Sequence, residues 1–411
     1  MVKVREEEVA QLVMERLDPA REYADEEILE EIDRVLLEEG RRRRLSVAER
    51  AEYRKHLFDS LRRLDVLQEL VEDPSVTEIM VNGTAHIFLE RDGRIEEAET
   101  RFASREKLED VIQQIVSRVN RAVNTASPIV DARLEDGSRV NVVLPPVAPD
   151  GPILTIRRFP AEPVTMEQLI AWGSITPQAA EFLQILVECG YNLFISGGTG
   201  TGKTTFLNAL SRYIPAGERV ITIEDSLELQ LTGIPNLVRL ETRNATAQGE
   251  HAVSIRDLIR TALRMRPDRI LIGEVRGAEA LDLLQAFNTG HDGSLSTAHA
   301  NSPGDLLSRL ETMVLMGGDL PLPAIRQQIA SAVEVLVQLG RLRGGKRCVR
   351  SIVEVLRYEE GEILWQPLFT YSETQGRLLP EGNPLCRCRK LEWAGEGGRR
   401  ARLQELLAVA P

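Results

Sequence analysis

A short stretch, GGTGTGKTT at residues 197–205, limits what this 411-residue chain can fold into more than any other feature. Gly197, Gly202, Lys203 and Thr204 satisfy the spacing G-x-x-x-x-G-K-[ST]. The run NLFIS before it has strand length, and TTFLNALSRYI after it carries Phe206, Leu207, Leu210 and Ile214 at helical spacing. Strand, glycine-rich loop and helix in that order make a phosphate cradle. The backbone N–H groups of Gly197, Gly198, Thr199, Gly200, Thr201 and Gly202 turn inward, and the new helix presents its positive end. Lys203 is placed to reach the β and γ phosphates, the Thr204 hydroxyl to ligate Mg²⁺, and Thr205 to add a donor. ATP and Mg²⁺ are the expected ligands.

Downstream, strand-like and helix-like segments alternate: VITIE, SIRDLIRTALRM, RILIGE, AEALDLLQAFNTG and GSLSTAHA. Such alternation predicts a parallel sheet that binds its ligand at the carboxyl ends of the strands. Glu274 closes ILIG and is the candidate to orient or activate the attacking water. The usual strand of this kind ends in a Mg²⁺-binding Asp, whereas here Asp268 precedes the strand, so the metal would depend on Thr204 and bridging waters. Glu224 and Asp225 end the preceding strand, with Glu228 one helical turn on. Glu224 is a catalytic candidate, and Asp225 joins Thr204 as a candidate metal group through outer-sphere contact. His291 and His299 flank one strand in HDGSLSTAH and are read as γ-phosphate sensors or struts between domains. Their spacing fits no common zinc site, and no Cys lies near.

Ahead of the loop the pattern differs. Residues 1–24 show no strong period and read as a frayed lead-in. Asp25 caps a helix with Ile28, Leu29, Ile32, Val35 and Leu36 on one face, and Gly40 suits its end. Arg41–Arg44 fill the turn, either solvated or facing an acidic partner or an anionic leaflet. Ser46 with Glu49 forms a capping box for a second helix, and a third short helix ends near Pro74. Short strands, Asn-Gly and Asp-Gly turns and one helix then predict an α+β domain. The expected layout is a helical domain over 1–74, an α+β domain over 75–159, a linker over 160–176, the ATPase domain over 177–372 and an unassigned tail over 373–411.

Composition narrows the function. A net charge of −12 with 4% aromatic residues argues against a specific nucleic-acid binder. No apolar run approaches the roughly 18 residues of a membrane span, so neither signal peptide nor transmembrane helix is expected. The four cysteines, Cys189, Cys348, Cys386 and Cys388, are too scattered for a disulfide framework.

The stretches EIMVNG, IVDARLEDGSRVN, LTIRRF, GGTGTGKTT, ITIEDSLEL, LETR, LRMRPDRILIGEVRGAEALDLLQAFNTGHDGSLSTAHANSP and SRLETMV resemble those of the type II/IV secretion and pilus-assembly ATPases. Among these the chain is most similar to the CpaF-like branch that powers Tad-type pili. The resemblance runs from about Asp25 to Tyr371. It implies an α/β fold: a RecA-like P-loop ATPase core behind an N-terminal α+β, PAS-like domain and a small helical bundle. It also implies a cytoplasmic homo-hexamer, peripheral to the inner membrane, that moves pilin or cargo through an inner-membrane platform protein. The family's N-terminal domain lends arginines to the nucleotide. On the matching stretches these are Arg133, Arg139, Arg157 or Arg158. Three other readings compete. A nucleic-acid translocase conflicts with the charge, a small-molecule phosphotransferase lacks an acceptor lid, and a scaffold without turnover is opposed by Glu274.

Overall fold

The computed structural model of the chain describes residues 3–18, 21, 23–43, 45–91, 93–119, 121–159, 163–243, 252–393 and 397–409, with the backbone alone at 3–7, 39–43, 392–393 and 397. The chain divides into two compact units, Met1–Ala161 and Glu162–Pro411.

The first unit begins with helices α1 (Lys3–Arg16), α2 (Asp25–Arg43) and α3 (Val47–Arg62). The expectation of a frayed start is corrected: Val9 and Val13, four residues apart on α1, are buried against Ile28, Ile32, Tyr53 and Leu57. Two valines are too few to give a sequence period, yet they suffice once α2 and α3 supply the other wall. Helix α2 also runs through Gly40 instead of stopping there. A mid-helix glycine costs only about 1 kcal/mol against alanine, which the buried Ile32, Val35 and Leu36 offset. The side chains of Arg41–Arg44 lie outside the described residues. The Ser46–Glu49 capping box forms in both directions.

After a 3₁₀ turn and α4 (Gln68–Glu72), strands β1 (Val76–Asn82), β2 (His86–Arg91) and β3 (Arg94–Glu97) precede α5 (Arg105–Arg118). Strands β4 (Ile129–Arg133), β5 (Arg139–Val143) and β6 (Ile153–Arg157) complete an antiparallel six-stranded sheet in the order β3-β2-β1-β6-β5-β4. Alternate residues, such as Val140 and Val142 on β5 and Leu154 and Ile156 on β6, share a core with Leu108, Val111, Ile112 and Ile115 of α5.

The second unit holds α6 (Met166–Ala171), α7 (Pro177–Glu188), β7 (Leu193–Ser196), α8 (Lys203–Ser211), β8 (Arg219–Glu224), β9 (Asn236–Glu241), α9 (Ile255–Ala262) and β10 (Arg269–Val275). It continues with α10 (Glu279–Phe287), β11 (Leu295–Ala298), α11 (Pro303–Gly317), α12 (Leu322–Ala332), β12 (Val335–Arg341), β13 (Arg347–Glu359), β14 (Glu362–Ser372), β15 (Arg377–Pro380), α13 (Arg389–Trp393) and α14 (Gly397–Leu407). Its nine-stranded sheet has the order β15-β14-β13-β12-β7-β11-β10-β8-β9, parallel from β12 to β9 and antiparallel beyond β12. Both faces are covered. Leu193 and Ile195 of β7 join α7 and α8 in one core, while Phe194 joins α9 to α12 in the other. That explains why the central strands read as continuous apolar runs. The tail, which the sequence left unassigned, adds β15 to the sheet edge and packs α13 and α14 back through Leu391, Leu403, Leu406 and Leu407. No helix among the described residues is long and apolar enough to cross a membrane.

Candidate functional site

The loop after β7 leaves the middle of the parallel sheet, between β11 and β12. A Cβ on Gly197 would stand 2.5 Å from Thr201 Oγ1 and 2.9 Å from the Leu339 carbonyl oxygen, so only glycine fits there. Gly202, at φ 92°, is the left-handed residue from which α8 starts. Lys203 is the first residue of α8 and is buried. Its Nζ donates to the carbonyls of Gly197 and Gly198, each at 3.2 Å, and lies 3.2 Å from His299 Nδ1. The ammonium is folded over a loop whose concavity a side chain would fill, which is the chemistry a polyphosphate requires.

Acids and one histidine surround this lysine. Glu274, near the end of β10, accepts from Arg276 Nη2 at 2.7 Å through one oxygen. Its other oxygen lies 2.8 Å from His299 Nε2, without the alignment of a hydrogen bond. Burial lowers the His299 pKa, and Lys203 lowers it further against the pull of Glu274. Glu224, which ends β8, is 2% exposed. Its Oε2 accepts from the backbone N–H groups of Glu228 and Leu229 at 2.7 and 2.8 Å, and its buried Oε1 has no partner. Burial pushes its carboxyl up to about 7 despite those two hydrogen bonds.

The acid beside the Thr204 hydroxyl is Glu228, at 3.3 Å, whereas Asp225 lies 4.0 Å from Arg276. Among the described residues no group of three or more His, Cys, Asp or Glu side chains is arranged to hold a metal ion alone. A hydroxyl, nearby carboxylates and one buried carboxylate oxygen without a partner suit a hard cation that keeps most of its shell in water and phosphate oxygens. The residues therefore fit Mg²⁺ in company with a nucleotide.

Lys203, Thr204, Glu224, Glu274 and His299 thus meet at the carboxyl edge of the sheet. His291 does not. It sits before the amino end of β11, with Nδ1 3.2 Å from the Ala286 carbonyl oxygen, because the two histidines flank a parallel strand and so fall at opposite edges. Asp268 is likewise at the amino edge, accepting from the Arg219 N–H at 2.6 Å. In the first unit, Arg158 is committed to backbone: it donates to the Val76 carbonyl at 3.0 Å and to that of Asp73. Arg133, Arg139 and Arg157 instead occupy adjacent register positions on β4, β5 and β6. The alternation of strand side chains separates Arg157 from Arg158.

Sequence reasoning missed Arg276, Gln338 and the β12–β13 hairpin. Gln338 ties the loop to its neighbours, bonding Ser196 Oγ and donating to the Ala300 carbonyl at 3.1 Å. The hairpin brings Arg341 and Arg347 beside the loop, and the signal for it was the run GRLRGGKR.

The profile of a family described as Type II/IV secretion system protein matches residues 61–378. A protein of Mycobacterium tuberculosis named for conjugal transfer is 37% identical over 304 residues, covering 72% of this chain and 86% of that one. The type IV secretion system protein PtlH of Bordetella pertussis is 32% identical over 324 residues, covering 72% of this chain and 94% of PtlH. The solved structure of the pilus retraction motor PilT with bound ADP shares the fold at 20% identity, with a TM-score of 0.54 over 73% of this chain and 84% of PilT.

Proposed function

This chain belongs to the type II/IV secretion system protein family, and from that membership we propose that it is a Mg²⁺-dependent ATPase working as a homo-hexameric ring. Its hydrolysis powers secretion or pilus assembly of the Tad kind, at the cytoplasmic face of the inner membrane and through a membrane platform protein. One observation carries the reading: Lys203, His299 and Glu274 form a contiguous chain of polar contacts at the mouth of the phosphate loop.

Roles follow from the chemistry of each group. Lys203 exchanges its loop carbonyls for the β and γ phosphates, which are stronger partners for an ammonium. Glu274, with one oxygen held by Arg276, orients the attacking water and accepts its proton. His299, between Lys203 and Glu274, reports the state of the γ-phosphate to that carboxylate. Thr204, with Glu228 and Asp225, would hold Mg²⁺, which when bound neutralises charge on the phosphate oxygens. Glu224 lines the same edge with its free oxygen.

The row Arg133, Arg139 and Arg157 supplies further positive charge to the nucleotide from the N-terminal unit of a neighbour in the ring. An arginine delivered in this way is worth roughly 10³ to 10⁵ in rate. The test is negative-stain imaging with ATP alongside steady-state phosphate release over a range of protein concentrations. Rings, and specific activity that rises with concentration, are expected. Monomers with concentration-independent activity would contradict the ring.

A further inference from the structure

The hairpin joining β12 to β13 carries four exposed cations, Arg341, Arg343, Lys346 and Arg347. Among the described residues none of these side chains has an ion pair or a hydrogen bond. Acids are within reach of this part of the chain: Arg350, three residues further along β13, pairs with Glu373 at 2.6 Å. Arg341 and Arg347 are also direct cross-strand partners, so two like charges occupy facing positions on the ladder. Such an arrangement costs stability, and a net charge of −12 would have made neutralisation easy.

Their position gives the arrangement a use. Arg341 Nη1 lies 3.9 Å from where a Cβ on Gly200 would stand, and Arg347 Cδ lies 3.8 Å from the equivalent point on Gly202. Both arginines therefore stand against the two left-handed glycines of the phosphate loop. The hairpin is held in place: β12 pairs with β7 up to Gln338 and Ser196, the Ser174 hydroxyl donates to the Arg347 carbonyl at 2.9 Å, and the Val349 N–H donates to the Ser174 carbonyl at 2.8 Å. A cation fixed in advance needs no reorganisation when its anion arrives.

We propose that Arg341 and Arg347 form a second cationic wall of the nucleotide site, supplied by the same fold as the phosphate loop, and contact the polyphosphate of the bound nucleotide. This rests on the ATPase reading above and adds two substrate-contacting residues to it. Guanidinium forks match phosphate oxygens in pairs. The wall therefore selects for the number of phosphates and not for the base.

Calorimetric titration of the full-length chain with a non-hydrolysable ATP analogue, ADP, adenosine and inorganic tripolyphosphate, all with Mg²⁺, tests it. Arg341→Ala and Arg347→Ala should each weaken binding of the ATP analogue about tenfold, equivalent to about 1.4 kcal/mol, and the pair about a hundredfold. ADP should lose less, adenosine nothing, and tripolyphosphate as much as the ATP analogue. The log–log salt slope should also become shallower, as it does when cation–phosphate contacts are removed. Arg343→Ala, on the same hairpin but against neither glycine, should stay within about twofold, since only distant screened charge is removed.

The wall is overturned if the pair binds the ATP analogue like the parent, or if Arg343→Ala costs as much as Arg341→Ala, which would mark a general field. Should the alanine pair melt below the parent, the pair Arg341→Gln and Arg347→Gln decides: lost affinity at parental stability supports the wall, and retained affinity overturns it. A parent that binds no ATP analogue removes both the wall and the ATPase reading. A parent that binds while the arginine variants match it removes the wall alone.

Discussion

The two edges of the nine-stranded sheet treat charge in opposite ways. At the amino edge the fold answers the charges of Arg269, Lys390, Glu334 and Glu354 that it takes inside. Arg269, 2% exposed, meets both oxygens of Glu218 and donates to the Val187 carbonyl at 2.6 Å. Lys390 joins Asp292 at 2.7 Å to Glu334, which accepts from the Asn192 N–H at 2.8 Å. Glu354, fully buried, accepts from the backbone N–H groups of Cys386 and Arg387 and from Gln366. At the carboxyl edge the account is left open. Glu224 keeps a buried oxygen without a partner, and Arg341 faces Arg347. Fully answered charge is framework, because nothing is left over to bind with. Unanswered charge costs stability, and a sheet that concentrates it at one edge holds a place for a ligand.

Substitutions at the two edges should therefore fail in different assays. Glu274→Gln leaves the loop intact and removes only the group that takes the proton, so phosphate release should drop about 10² to 10⁴-fold. Binding of a fluorescent ATP analogue should stay near parental, and an equal loss of both would return Glu274 to the framework. Arg269→Met strands Glu218 and two carbonyls. It should lower unfolding free energy by about 3 to 5 kcal/mol in denaturant titration, with nucleotide affinity of the folded fraction unchanged. A loss confined to turnover would break the division between the edges.

Lys390→Met removes a half-buried ammonium that ties the tail to the sheet, with an expected cost of about 1 to 3 kcal/mol and loss of protease protection at residues 381–407 ahead of the rest. Simultaneous loss everywhere would show that the tail is no separate tie. The smallest effect concerns His299, whose pKa is lowered in the fold. Below pH about 6.5 the unfolded chain takes up a proton that the folded chain refuses, so this residue's penalty grows as pH falls through that value. The site is partly open to solvent, which keeps the effect under about 1 kcal/mol. The melting temperature of His299→Gln relative to the parent should rise between pH 7.5 and 5, and a flat difference would show that the ring titrates normally.

The sequence displayed the strand, loop and helix of the phosphate site because these rest on local rules: glycines where φ is positive and apolar runs in strands covered on both faces. It also showed that Glu274 ends a strand. It did not show which strand end is which. His291 and His299 read alike until β11 is known to run parallel to β7, and only then do they separate to opposite edges. Arg158 could not be told from Arg157 without the register that turns one toward the Asp73 and Val76 carbonyls. The tail carries too few apolar residues in sequence to announce helices. Leu403, Leu406 and Leu407 become a face only against α7. Arg341 and Arg347 were hidden for the same reason, since closeness to the phosphate loop comes from β12 lying beside β7.

The measurement that bears most directly on the central claim is steady-state phosphate release from ATP and Mg²⁺ by the full chain and by Lys203→Ala, each with its melting curve. Turnover by the parent, none above background by the variant, and melting temperatures that agree are expected, because the Lys203 ammonium bonds carbonyls of the loop that receives the ligand and not of the framework. A variant that hydrolyses at the parental rate, or a parent with no turnover at any concentration, would contradict it.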